Sequence, residues 1–151
     1  MHSTSTKHIE LSERVIERLE QAIMTIKASC GERLMEISLF GGYALGEYHQ
    51  FSSVDLIVVV TESDIKFLKR KADLERMLNE DDQMPLIDPL VYTEDEILDL
   101  INKKESFIVS VLNEAIVVWN GFNEIDLKDL HTPKDLPSRY KASLPKLGES
   151  Y

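Results

Sequence analysis

Val15, Ile16, Leu19, Ala22, Ile23 and Ile26 recur at helical spacing with glutamates and arginines between them, a pattern that predicts an amphipathic helix. Ser12 stands at its N-cap position, Leu11 and Ile16 fall where a hydrophobic staple would pack, and Gly31 stands where a left-handed cap would stop it. The half-alternating run Leu34 to Phe40 predicts a strand that breaks at the pair Gly41-Gly42. Val54 to Val60 is apolar almost throughout, as expected of a strand with both faces covered. From Ser63 to about Asn79, charges interleave with Phe67, Leu74, Met77 and Leu78, which predicts a surface helix with the run Lys69 to Lys71 on its wet face and an acidic turn after it. Met84 to Tyr92 reads as a third strand. Pro85 and Pro89 place it at a sheet edge or turn their nitrogens away from a partner. Thr93 followed by Glu96 is a capping-box signature opening a helix through Ile97, Leu98, Leu100 and Ile101. A further helix is expected over Ser106 to Asn113, then a short strand over Ala115 to Trp119 closed by the turn dipeptide Asn120-Gly121.

Helices alternating with strands indicate an α/β or α+β domain with a small sheet, a class that says nothing by itself about function. The chain has 151 residues, enough to bury one core without staples. Past residue 121 the apolar periodicity fades and three of the five prolines gather, at Pro133, Pro137 and Pro145. We therefore expect a domain over residues 1–120 and a C-terminal tail or docking arm over 121–151. The net charge of −10 is confined to the first part: residues 1–120 hold 22 acids and 12 bases, while 121–151 hold five of each. Such a body repels a phosphate backbone, so direct nucleic-acid binding is not expected. The single cysteine, Cys30, cannot close an intramolecular disulfide and is expected as a small buried or half-buried residue. The longest aliphatic run, Leu56 to Val60, is far short of the roughly 20 residues of a membrane span. The start MHSTSTKH has no signal-type apolar stretch. These features predict a cytoplasmic protein.

The chemistry is concentrated in residues 37–60, ISLFGGYALGEYHQFSSVDLIVVV. Glycines at a strand-to-helix junction let backbone N–H groups approach a phosphate, and a helix N-terminus adds partial positive charge. Asp55 near the start of one strand and Asp88 on the next could hold a divalent ion between them. Mg²⁺ held there would bridge to nucleotide phosphates, which points to phosphoryl or nucleotidyl transfer. The stretch GGYALG is neither a dinucleotide fingerprint nor a P-loop, because no Gly-Lys-Ser/Thr follows it. His49 is the one histidine near the motif, in its polar loop, and is not expected to be catalytic.

The segment LFGGYALGEYHQFSSVDLIVVV, residues 39–60, resembles the signature of the minimal nucleotidyltransferases, relatives of DNA polymerase beta, in which Gly-Ser is followed after a spacer by Asp-x-Asp. Gly41 and Gly42 occupy the Gly-Ser positions, Ser53 and Asp55 the Asp-x-Asp positions, and Asp88 in IDPLVYT stands where the third carboxylate is expected. The likeness covers residues 9 to about 120. It implies a nucleotidyltransferase fold with a small mixed β-sheet flanked by helices. It also implies ATP or another NTP as substrate and Mg²⁺ as metal. Gly41, Gly42 and Ser53 would bind the nucleotide, and Asp55 and Asp88 would be metal ligands and catalytic carboxylates, with Asp88 as general base or second ligand.

Three departures accompany the match. Gly42 lacks the hydroxyl that helps to hold the triphosphate, and Leu45 stands where small members often carry arginine. Ser53 replaces the first aspartate, which in the family bridges both metals, by a neutral hydroxyl that ligates Mg²⁺ poorly. Glu47 is common at its position in members with both aspartates, so it does not count as a replacement. The resemblance implies transfer of AMP from ATP to a protein or small-molecule hydroxyl, with activity impaired by these losses. The alternative it implies is a catalytically inactive binding module, the antitoxin-like partner of a HEPN-type helical protein. Whether the chain forms an oligomer stays open.

Overall fold

In the computed structural model, which describes residues 8–131 and 138–144, a two-residue strand β1 (His8–Ile9) leads into α1 (Glu13–Cys30). The Ser12 hydroxyl accepts from the Val15 N–H, the expected N-cap. Gly31 ends the helix at φ 57°, ψ −135°, so it is not the left-handed helical cap expected there. Its conformation turns the chain into a single 3₁₀ turn, Gly31–Arg33, ahead of β2 (Leu34–Phe40). A one-turn helix α2 (Gly42–Leu45) follows, then β3 (Val54–Val60), α3 (Phe67–Leu78) and β4 (Ile87–Thr93). The chain continues through α4 (Glu94–Asn102), α5 (Ser106–Glu114), β5 (Ile116–Trp119) and β6 (Leu130–His131).

The central sheet has the order β4-β3-β2-β5, with β3 and β4 parallel and the other pairs antiparallel, a small mixed sheet flanked by helices. Side chains alternate across β3 and so feed two cores. Val54, Leu56, Val58 and Val60 pack with α1 and α3, while Ile57 and Val59 pack with α4 and α5. That double burial is why β3 reads as a continuous apolar run. β4 lies at an edge, so Pro89, opposite Leu56, deprives no outer neighbour of a hydrogen bond.

β4 begins at Ile87 and not at Met84, because the approach to it is held by α1. Arg14 Nε donates to Met84 O at 2.7 Å and the buried Arg18 Nε to Pro85 O at 2.9 Å. α3 likewise begins at Phe67 and not Ser63, whose hydroxyl accepts from the Ile65 N–H and holds a turn. The capping box of α4 is present: Thr93 accepts from the Glu96 N–H, and the Glu96 carboxylate accepts from the Thr93 N–H.

The described parts of the expected tail lie on the body. Leu127 and Leu130 are buried in the first core, and β6 pairs antiparallel with β1. Farther on, Ser138 Oγ donates to the buried Glu36 at 2.5 Å, the Arg139 N–H donates to the same carboxylate at 3.0 Å, and Tyr140 OH donates to Glu94 at 2.9 Å. Burial pushes the Glu36 carboxyl above its ordinary pKa even against these donors. No helix among the described residues is long and apolar enough to cross a membrane.

Candidate active site

The site forms where β2 ends and β3 begins. Phe40 is paired with Asp55, and the next residue, Gly41, adopts φ 73°, ψ −151°. This region favours glycine, and there is a second reason for one: a Cβ on Gly41 would collide with Asp55 Oδ2. The backbone at Gly41 therefore lies directly against the carboxylate. At Gly42 a Cβ would stand 3.0 Å from the Glu47 carbonyl oxygen, so the turn is closed tightly there too. The Glu47 N–H donates to Gly42 O at 2.8 Å, and Gly46, in the left-handed region, ends α2. With four residues, α2 is too short to build the dipole expected at this junction, and what remains is a set of backbone N–H donors.

Asp55 and Asp88 face each other as register partners on the parallel strands β3 and β4. The structure thus brings together the two carboxylates that are 33 residues apart in the chain. Ser53 joins them by donating to Asp55 Oδ1 at 2.9 Å. Asp55 is half-buried, and its pKa is raised: burial is the main cause and the Asp88 charge adds to it, against the Ser53 hydrogen bond and Lys71. In the adjoining loop His49 serves its own backbone, accepting at Nδ1 from the Phe51 N–H, while Ser52 Oγ accepts from the His49 N–H. Leu45 is exposed and brings no cation.

The cation comes from elsewhere. Lys71 Nζ donates to Asp88 Oδ1 at 2.5 Å and to Glu75 Oε1 at 2.6 Å. Phe67, Lys71 and Glu75 are spaced by four on α3, so they share one side of the helix as it passes the edge strand. This corrects the expectation of a uniformly wet basic run. Lys69 does sit in solvent, paired with Asp73, but Arg70 is buried, donating to Val91 O, Ile65 O and Glu96. Burial disfavours the Lys71 charge, yet the hydrogen bonds and charges of Asp88 and Glu75 outweigh it and leave its pKa above the ordinary value.

Asn79 is the other residue that pattern reasoning missed. Its side-chain amide pairs with Ile87 as a neighbouring strand would, donating to Ile87 O and accepting from the Ile87 N–H, both at 2.8 Å. Arg18 donates to the same Asn79 oxygen at 3.3 Å and to Leu78 O at 3.2 Å. Asp88 is thereby fixed by a clamp on the residue before it. An open cleft of about 1040 Å³ runs along this edge, with Ser53, Lys71, Glu75, Arg76, Asn79 and Asp88 in its wall. Gly41, Gly42 and Asp55 are not part of that wall.

Among the described residues no group of three or more His, Cys, Asp or Glu side chains could hold a metal ion. Asp55 and Asp88 each have one oxygen engaged by a protein donor. The donor set does not fit a two-metal centre. The remaining oxygen of each would serve a single divalent ion that takes water and phosphate oxygens as its other ligands.

Compared with known proteins, residues 23–118 match the family model of the nucleotidyltransferase domain. The chain belongs to the nucleotidyltransferase domain family. The matched span contains all of β2 to α5, and therefore every residue of the carboxylate site. No curated protein matches the chain. Among solved structures, a candidate nucleotidyltransferase from Sulfolobus solfataricus is 19% identical with a TM-score of 0.46, covering 78% of this chain and 96% of that one. A toxin–antitoxin crystallised with AMP-PNP is 17% identical, with a TM-score of 0.46, over 67% of this chain and 73% of that one. A mutant of the toxin–antitoxin MntA-HpeT is 16% identical, with a TM-score of 0.44, over the same shares. The glycine turn after β2, the start of β3 and the edge strand β4 all lie within this nucleotidyltransferase domain.

Proposed function

We propose that the protein binds a nucleoside triphosphate at the junction of Gly41, Gly42, Ser53, Asp55 and Asp88, and that its power to transfer the nucleotide is impaired. The observation that carries this reading is the alignment of Asp55 with Asp88 directly behind the glycine turn, with only Ser53 where a further carboxylate would complete the set. The backbone donors at Gly41 and Gly42 would hold phosphate oxygens, and the absence of a side chain at Gly41 lets the chain pass against Asp55. Asp55 and Asp88 would hold one Mg²⁺, which when bound neutralises phosphate charge. Asp88 would be the second ligand of that ion or, once released from Lys71, the base that takes the proton of a protein or small-molecule hydroxyl. The hydroxyl oxygen would attack the α-phosphorus of ATP, bonding to AMP and releasing pyrophosphate. Loss of the serine hydroxyl at position 42 and of one carboxylate at position 53 is what weakens transfer relative to binding.

A second reading, a binding module that pairs with a HEPN-type helical protein, draws on the exposed Leu45, Tyr48 and Phe51 that follow the glycine turn. Calorimetric titration of ATP with Mg²⁺ separates the two. Under the first reading the wild type binds with a Kd below about 1 mM, roughly 4 kcal/mol, and Asp55→Asn abolishes the heat. Absence of heat from the wild type, with binding gained in Ser53→Asp, would favour the module.

A further inference from the structure

Of the basic residues on α3, Lys69 and Arg76 pair with Asp73, and Arg70 is buried against Glu96. Lys71 alone among them reaches the carboxylate pair. Its ammonium carries three N–H donors. Two go to Asp88 Oδ1 and Glu75 Oε1, which leaves a third for an anion in the cleft that Lys71, Ser53 and Asp88 line together. Compared with a site carrying aspartate at position 53, this one lacks a negative charge, and Lys71 sets a fixed positive one beside Asp88. A divalent ion seeking Asp88 meets an oxygen already engaged and a like charge beside it.

We propose that the Lys71 ammonium occupies a cation position at Asp88, so that the fold itself supplies part of the positive charge a nucleotide's phosphates need and metal binding there is weakened. The inference rests on the nucleotide reading above for its ligand, but the place of Lys71 is tested without nucleotide. A resident ammonium makes phosphate binding less dependent on Mg²⁺, and at the same time it withholds Asp88 from acting as a base. Binding without transfer is the combined outcome.

The experiment uses the full chain and its Lys71→Gln, Lys71→Arg and Lys69→Gln variants. Free Mn²⁺ is followed by electron paramagnetic resonance in the absence of nucleotide, and ATP affinity is measured with Mg²⁺ and again with chelator. Lys71→Gln should bind Mn²⁺ about ten-fold more tightly than the wild type, because a charged competitor at hydrogen-bond distance has been removed. Lys71→Arg, which keeps the charge, should behave as the wild type, and so should Lys69→Gln, which removes an equal charge from the solvent face. Withdrawing Mg²⁺ should weaken ATP binding less in the wild type than in Lys71→Gln. Unchanged Mn²⁺ affinity in Lys71→Gln, or an equal gain in Lys69→Gln, overturns the proposal. Failure of the wild type to bind ATP under any condition overturns the nucleotide reading instead, and the Mn²⁺ result still decides where the ammonium acts.

Discussion

Ser53 and Asp55 are joined by a 2.9 Å hydrogen bond from the serine hydroxyl to Asp55 Oδ1, so the residue that replaces a carboxylate holds its neighbour in place. That bond favours the ionised form of a half-buried acid whose burial favours the neutral one. Ser53→Ala should therefore raise the Asp55 pKa further and cost about 1 kcal/mol of stability. Carbon-13 titration of the Asp55 carboxyl reads the first effect, and an unshifted curve would show that the bond does not form in solution.

Gly41 and Gly46 both have positive φ, but only Gly41 is pressed against another group. Gly46→Ala meets open space and should cost about 1 kcal/mol of backbone strain alone. Gly41→Ala adds a collision with Asp55 and should cost on the order of 3 kcal/mol. Urea unfolding of the pair gives the difference directly; equal losses would mean that the turn relaxes away from Asp55.

Glu36 gives stability a definite slope with pH. Its folded pKa lies above the ordinary 4.5, chiefly through burial, so its contribution is fully present below 4.5 and is lost as pH rises through the folded value. Glu96 slopes the other way. Burial raises it, but Arg70 and Thr93 together bring its pKa below 4.5, so its contribution is present above that value and lost as pH falls through the lowered one. In chemical denaturation from acid to neutral pH, the wild type should lose stability relative to Glu36→Gln as pH rises and gain it relative to Glu96→Gln. A pH-independent gap for either pair contradicts the assignment.

Asn79→Ala should remove the clamp on Ile87 and leave the Ile87 N–H and C=O without their side-chain partner, at a cost of about 2–4 kcal/mol. Amide exchange at Ile87 should accelerate with the loss of global stability, and any metal or nucleotide affinity that depends on Asp88 should fall with it. Exchange at Ile87 as slow as in the wild type would mean that β3 alone fixes the strand.

The ends of β2 and β3 and the capping box of α4 were legible because each depends on patterning within a few residues. So were Gly41, Asp55 and Asp88 as neighbours, since a parallel pair of strands with their carboxylates at matching positions brings them level. Lys71 was not legible. In the run Lys69 to Lys71 the two lysines differ only in which way the helix turns them, and the partners of the three residues, Asp73, Glu96 and Asp88, lie at unrelated distances along the chain. Asn79 was hidden among acids that did form a plain turn, because nothing local announces that an amide will pair with the backbone of Ile87. The packing of Leu127 and Leu130 was missed for a related reason: one leucine in a turn and one in a two-residue strand have no period to detect.

The bond between Ser138 and Glu36 spans 102 residues of chain. On a ribosome adding roughly 5–20 residues per second, Glu36 is made roughly 5–20 seconds before its partner. Through that interval the carboxyl has neither the Ser138 hydroxyl nor the Arg139 N–H, and the middle of β2 must keep it in water or keep it protonated. A segment made 102 residues later thus seals β2, and a nascent chain halted before Ser138 carries Glu36 without either donor.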